Sequence, residues 1–185
     1  MKTKLNKLIS FAALFALPCA ALAAPTVTFE GEVTSQTCAV DINGQTDSVV
    51  LLPTVAITDF GASLASGQTA GLTPFTVSLT GCQAPSADTN ITTKFLGYNV
   101  DSSTGVLGNT YTGSDAASGF GIQLFSEAAG TTAITLNGVT SVPGLVLKKD
   151  KTSADYQFAA KYYSLGTSGT AGKITAVAEY TVSYL

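Results

Sequence analysis

Hydrophobic and polar positions alternate in short runs along most of this chain. Val27, Phe29 and on to Val33 form a first run, Cys38, Val40 and Ile42 a second, and residues 49–52 a third. Phe75, Val77 and Leu79 alternate with Thr76, Ser78 and Thr80 before Gly81 and Cys82. Runs over 92–100, 121–126 and 134–136 follow, and Tyr156, Phe158, Ala160 and Tyr162 alternate again. A side-chain period of two marks a strand with one buried face. No long stretch repeats apolar residues at helical spacing, so no long helix is expected. Many short strands punctuated by Gly and Asn/Asp predict an antiparallel β-sandwich in one domain. Asn43-Gly44 and Asn137-Gly138 are candidate turns. Residues 61–71 read as a loop with a helical turn, and 102–118 as a long exposed connection.

The C-terminus carries the longest alternation. Between 173 and 185 the even positions are Ile174, Ala176, Ala178, Tyr180, Val182 and Tyr184, and the odd ones are mostly polar. Six apolar residues share one face, and the run lasts to the end of the sequence. A strand with an apolar face and no successor invites pairing with another chain. From pattern alone, a last strand buried between neighbours is equally good.

The N-terminus sets the compartment. Lys2, Lys4 and Lys7 precede an apolar run over 8–17, and Ala21-Leu22-Ala23 supplies a small-x-small exit. That order reads as a secretory signal peptide over 1–23, with the mature chain starting at Ala24. Removal of 23 residues leaves 162 of the 185, with six of the nine Lys against twelve acids, a net charge of −6. Two of the three Cys remain, Cys38 and Cys82. An even pair in an exported chain reads as a disulfide, with two free buried thiols as the alternative.

Composition then narrows the chemistry. The chain has no His and no Trp, and all nine basic residues are Lys. Without His there is no Ser-His-Asp or Cys-His catalysis. Without Arg there is no bidentate phosphate clamp, and the acidic balance argues against nucleic acid. Charged residues make up 11% of the chain, well under the roughly 25% of ordinary soluble domains. Gly61-Ala62-Ser63-Leu64-Ala65 lacks the last Gly of a nucleophile elbow. No catalytic residue, metal or cofactor is expected; a carboxylate pair brought together from distant strands is the one enzymatic arrangement that sequence leaves open.

Taken together, these segments resemble the subunits of chaperone–usher fimbriae, specifically type 1-like major pilins. Phe29-Glu30-Gly31-Glu32-Val33 before Thr37-Cys38 resembles the family's first-strand motif, Phe-x-Gly-x-Val ahead of the first Cys. Leu52-Pro53 and the stretch from Pro74-Phe75 to Gly81-Cys82 resemble its central segment. Gly121-Ile122-Gln123-Leu124, Phe158-Ala159-Ala160-Lys161-Tyr162 and the alternating end with Tyr184 penultimate resemble three later strands. The match covers nearly the whole mature chain.

The resemblance implies an all-β, incomplete immunoglobulin-like sandwich lacking its last strand. It implies completion by a donor strand, first from a periplasmic chaperone and then, at an outer-membrane usher, from the N-terminal extension of the next subunit. The even-numbered residues Ile174, Ala176, Ala178, Tyr180, Val182 and Tyr184 would line the acceptor groove, with the Leu185 carboxylate held by basic residues of the chaperone. The extension would be residues 24–30, inserting Pro25, Val27 and Phe29, ahead of a pilin domain over 31–185. Five residues before Phe29 make a short donor. Either the strand runs on through Val33, or cleavage falls earlier. Implied partners are identical or related pilins in a head-to-tail homopolymer, chaperone, usher and, indirectly, a tip adhesin; implied location is a fimbrium at the cell surface. The expected role is a major structural subunit, with a minor or terminating subunit as the alternative.

Overall fold

The computed structural model describes residues 31–36 and 38–184, which fall almost wholly within one compact unit, Glu32–Leu185. The expected signal peptide over 1–23 and the expected donor residues Pro25, Val27 and Phe29 lie outside the described residues. Ten strands run in the order β1 (Ala39–Ile42), β2 (Thr69–Thr80), β3 (Thr89–Gly97), β4 (Val100–Asp101), β5 (Val106–Gly108), β6 (Phe120–Phe125), β7 (Ala133–Ile134), β8 (Val139–Leu147), β9 (Ala154–Ser164) and β10 (Ala178–Ser183). Among the described residues, one 3₁₀ turn spans Ile57–Phe60.

All ladders between these strands are antiparallel. One sheet has the order β1-β2-β9-β6-β5-β4, with β7 also on β6, and the other is β10-β3-β8. Alternation decides which face each strand buries. In β2, Phe75, Val77 and Leu79 point inward, and Val77 and Leu79 are 0% exposed. In β3 the inward set is Ile91, Thr93 and Phe95. The two sheets meet around Phe158, fully buried, whose ring lies 5.7 Å from Phe75, 5.3 Å from Phe95 and 5.0 Å from Tyr156. Each such aromatic burial stabilises by roughly 1.5–3 kcal/mol. The result is an immunoglobulin-like sandwich.

Cys38 and Cys82 form a disulfide, which ties the start of β1 to the end of β2. It closes a loop with a sequence separation of 44, for roughly 4 kcal/mol in the chain-entropy view. At the other end of β1, Asn43 and Gly44 both have positive φ (52° and 81°). That is the two-residue turn their sequence predicts. The Ile42 and Gln45 amides exchange bonds with each other's carbonyls across it.

Five sequence expectations need correction. The stretch 61–71 is a loop only as far as residue 68, since β2 begins at Thr69, and the helical turn falls ahead of it at Ile57–Phe60. Residues 49–52 are extended but join no ladder among the described residues. Residues 31–33 are likewise outside any strand. The stretch 102–118 is not all exposed, because β5 places Val106 and Leu107 in the core at 0% and 3% exposure. Strand β8 was not foreseen, because Pro143-Gly144 reads as a break. The fold accommodates both residues at a bulge: Ile91 pairs with Leu145 and Thr92 with Pro143, so Gly144, at φ 135°, is skipped. A sheet edge and a bulge are where a strand tolerates Pro.

One buried polar atom is left over. Thr93 Oγ1 is wholly buried and has no hydrogen-bond partner among the described residues. An orphaned hydroxyl costs about 1–3 kcal/mol, and an isosteric methyl removes that cost. Thr93→Val is therefore expected to raise stability by about 1 kcal/mol, read as a higher urea midpoint with an unchanged slope. A lower midpoint would show that the hydroxyl is satisfied in solution.

Candidate functional site

Two edges of the sandwich are open on the same side. Among the described residues, β1 pairs only with β2, and β10 only with β3. After the Asn43-Gly44 turn the chain runs extended over 48–56, with Val50 and Leu52 turned inward and Val49 and Leu51 outward at 74% and 82% exposure. The backbone of residues 49–55 makes no hydrogen bond among the described residues. Opposite it runs the C-terminal stretch. Val50 and Leu52 pack on the same core cluster as Ala176, Ala178 and Tyr180. The Tyr180 hydroxyl donates to the Thr46 carbonyl at 3.1 Å, closing one point across the cleft.

All six even-numbered residues from Ile174 to Tyr184 turn toward this cleft. Each is half-buried, and none joins the fully buried core. Only 178–183 of the alternating run is ladder strand; 174–177 continues extended ahead of it. The main chain follows the same parity. The Tyr98 amide donates to the Val177 carbonyl, and Ala178 faces Gly97 in the register. In an antiparallel ladder, alternate residues send both backbone groups to the same neighbour. Odd positions of β10 therefore bond β3, and the amides and carbonyls of Ala178, Tyr180, Val182 and Tyr184 point to the open edge.

At the Ile174 end the cleft deepens into a cavity of about 370 Å³. Its walls mix apolar and polar groups: Val55, Ile57, Phe60, Phe120 and Ile174 with Thr54, Tyr111, Tyr162, Lys173 and Thr175. The Phe60 and Phe120 rings lie 5.0 Å apart. At the Tyr184 end, Val182 and Tyr184 pack on the cluster of Leu79, Cys82, Ile91, Leu145 and Leu147. Burial raises the Tyr184 phenol above its usual value, with the Glu32 charge adding to it. The same end holds a contact that no sequence pattern signals: Ser183 Oγ donates to Glu32 Oε2 at 2.6 Å, and the Tyr184 amide to Glu32 Oε1 at 3.1 Å. The cavity aromatics were missed too, since Phe60 and Phe120 come from a 3₁₀ turn and a strand that only the fold brings together.

The carboxylates with shifted affinities all move in one direction. Hydrogen bonds from Ser103 and Thr104 hold Asp101 below the ordinary range, Lys148 does so for Asp88, and Lys173 with Tyr111 for Asp115. Glu127 is held down at about 2, chiefly by Thr131 and Thr132 in its own loop. These acids brace loops. A general acid needs the opposite shift.

The cleft is thus a sheet edge with outward backbone groups, lined by half-buried apolar side chains. Comparison with known proteins identifies the lineage. A family model described as Fimbrial protein matches residues 27–185. The chain is 35% identical over 162 residues to the F17 fimbrial protein of Escherichia coli, covering 85% of this chain and 86% of that protein. It is 35% identical over 177 residues to the major fimbrial subunit SMF-1 of Stenotrophomonas maltophilia (strain K279a), covering 92% and 99%. In fold it resembles a chain from a chaperone–usher pilus studied for rod uncoiling, with 16% identity, a TM-score of 0.57, and coverage of 91% of this chain and 100% of that one. This chain belongs to the fimbrial protein family: it is a pilin-type subunit of the chaperone–usher class, a structural component of a fimbrium at the cell surface.

Proposed function

We infer that this chain is the major structural subunit of its fimbria, delivered by a periplasmic chaperone to an outer-membrane usher and joined head to tail by donor-strand exchange. One observation carries the reading. A row of six apolar residues, Ile174 to Tyr184, stands half-buried on an edge whose outward amides and carbonyls have almost no partners within the described chain. Opposite it, residues 49–55 have a bare backbone of their own. One added strand would pair with both edges and press alternate side chains into the cleft, which is β-augmentation in its two-sided form. Main-chain bonds supply affinity and the depressions supply specificity.

The residues to be inserted are Pro25, Val27 and Phe29 of the next copy. A contact in which the extension of one copy fills the groove of another is heterologous, so it repeats without closing and yields a filament. The mature chain's lack of Arg and His suits this role, since the assembly asks for shape and hydrogen bonds only. Relatives named as a major subunit and as a minor one both match nearly the whole chain, at 35% and 30% identity, so relatedness fits either place in the fibre and the following test decides between them. The test is electron microscopy of cells that lack this chain. Shafts are expected to vanish and to return when the chain is restored. Shafts of normal number and length without it would assign it a minor place.

A further inference from the structure

Glu32 stands where the described domain begins, yet its carboxylate reaches the last residues of β10. It accepts the Ser183 hydroxyl at 2.6 Å and the Tyr184 amide at 3.1 Å. Ser183 is on the outer, odd-numbered side of β10 but only 5% exposed. The Tyr184 amide is the last member of the outward row on the open edge. Among the described residues it is also the one amide of that even-numbered row that already has a partner.

We propose that Glu32 is the stop of the acceptor edge: a positioning residue that occupies the Tyr184 amide and limits main-chain pairing by an added strand to the stretch ending at Val182. This rests on the strand-addition reading above and specifies the partner as the extension of a second copy. Two consequences follow. An incoming strand takes its register from a fixed end, because the amide that would let it slide two residues further is held by a carboxylate. Glu32, committed to its own β10, is also withdrawn from the extension, whose free part ends at Gly31. The donor then does not run on through Val33.

The test uses isotope-labelled mature chain, refolded with excess of an unlabelled peptide of residues 24–31, the extension that the mature chain carries. Its eight residues, at about 3.3 Å each, are long enough to lie along the edge from 177 to 184. Residue-resolved amide exchange is read in the complex. In the wild type, the amides of Tyr180 and Val182 should be slowed at least ~10²-fold relative to unstructured chain, and the Tyr184 amide far less, since one side-chain hydrogen bond at the chain end opens locally without the strand. In Glu32→Ala, Tyr184 should join the slowed set; in Ser183→Ala, which leaves the carboxylate on the Tyr184 amide, it should not. Should Glu32→Ala not be recovered folded, Glu32→Asp, one methylene too short to hold that amide, carries the same expectation. Tyr184 slowed as strongly as Val182 in the wild type, or unslowed in both Glu32 variants while Val182 is slowed, overturns the stop. No slowing at Tyr180 or Val182 in the wild type overturns strand addition itself, which keeps the two failures apart.

Discussion

Deleting residues 24–28 abolishes fibre formation and leaves capture by the chaperone intact. The two halves of this expected result come from opposite ends of the chain. The acceptor cleft is built by 48–57 and 171–184, none of which the deletion touches. A chaperone strand would find the same outward backbone groups at Ala178, Tyr180 and Val182. The extension, in contrast, would lose Pro25 and Val27 and most of its backbone. Each lost main-chain bond is worth about 0.5–1.5 kcal/mol net. Loss of a buried Val adds roughly 1.5–2 kcal/mol. Four such bonds and one Val come to about 5 kcal/mol, or some 10³–10⁴-fold in the equilibrium between neighbours. A polymer needs every junction, so a loss of that size at each one ends it. The measurement is paired: co-purification of subunit with chaperone from the periplasm, and sheared surface fibres from the same cells. Fibres in normal yield from the deletion would remove 24–28 from the donor.

What the sequence makes legible follows from where each signal originates. Strands β2 and β9 are visible because their faces differ: Phe75-Val77-Leu79 and Tyr156-Phe158-Ala160 alternate against polar neighbours, and both sets are inward in the fold. The Cys pair is visible because export and parity constrain it. Strand β8 hides behind Pro143-Gly144, since a bulge opposite Ile91 and Thr92 is a property of the pair of strands and not of either alone. Val106 and Leu107 hide in a Gly/Ser/Thr-rich stretch for a related reason: two residues are too few to show a period.

Residues 49–52 are the instructive case. Their alternation is real, with Val50 and Leu52 inward and Val49 and Leu51 outward, yet no strand among the described residues pairs with them. Hydrophobic patterning reports a face to be covered, not what covers it. The same holds for the C-terminal row. Its pattern fits a buried strand and an open one equally, and only the sheet order, with β10 at an edge, separates them. The Glu32 contact lies beyond any local pattern, because its partners are 151 and 152 residues away along the chain.

Val182→Asp sharply reduces the amount of subunit held by the chaperone, while Thr181→Asp, one residue earlier on the same strand, leaves it near the wild-type level. The two substitutions add the same charge to neighbouring positions, so parity alone distinguishes them. Val182 faces inward, opposite Thr93 in the register, and packs on the cluster of Ile91, Leu145 and Leu147. Thr181 is exposed on the outer face. Once a strand covers the cleft, a carboxylate at 182 is sealed against the apolar cluster of Leu79, Ile91, Leu145 and Leu147, which offers it no hydrogen-bond donor. An uncompensated buried charge costs about 3–5 kcal/mol. That corresponds to a loss of roughly 10²-fold or more in the complex. Val182→Ile, which keeps the face apolar, separates loss of shape from loss of polarity and should stay within threefold of wild type. Co-purification with tagged chaperone, normalised to total synthesis, reads all three. Equal losses at 181 and 182 would mean that charge on β10 matters irrespective of face, and the even-numbered row would no longer be the surface that receives the strand.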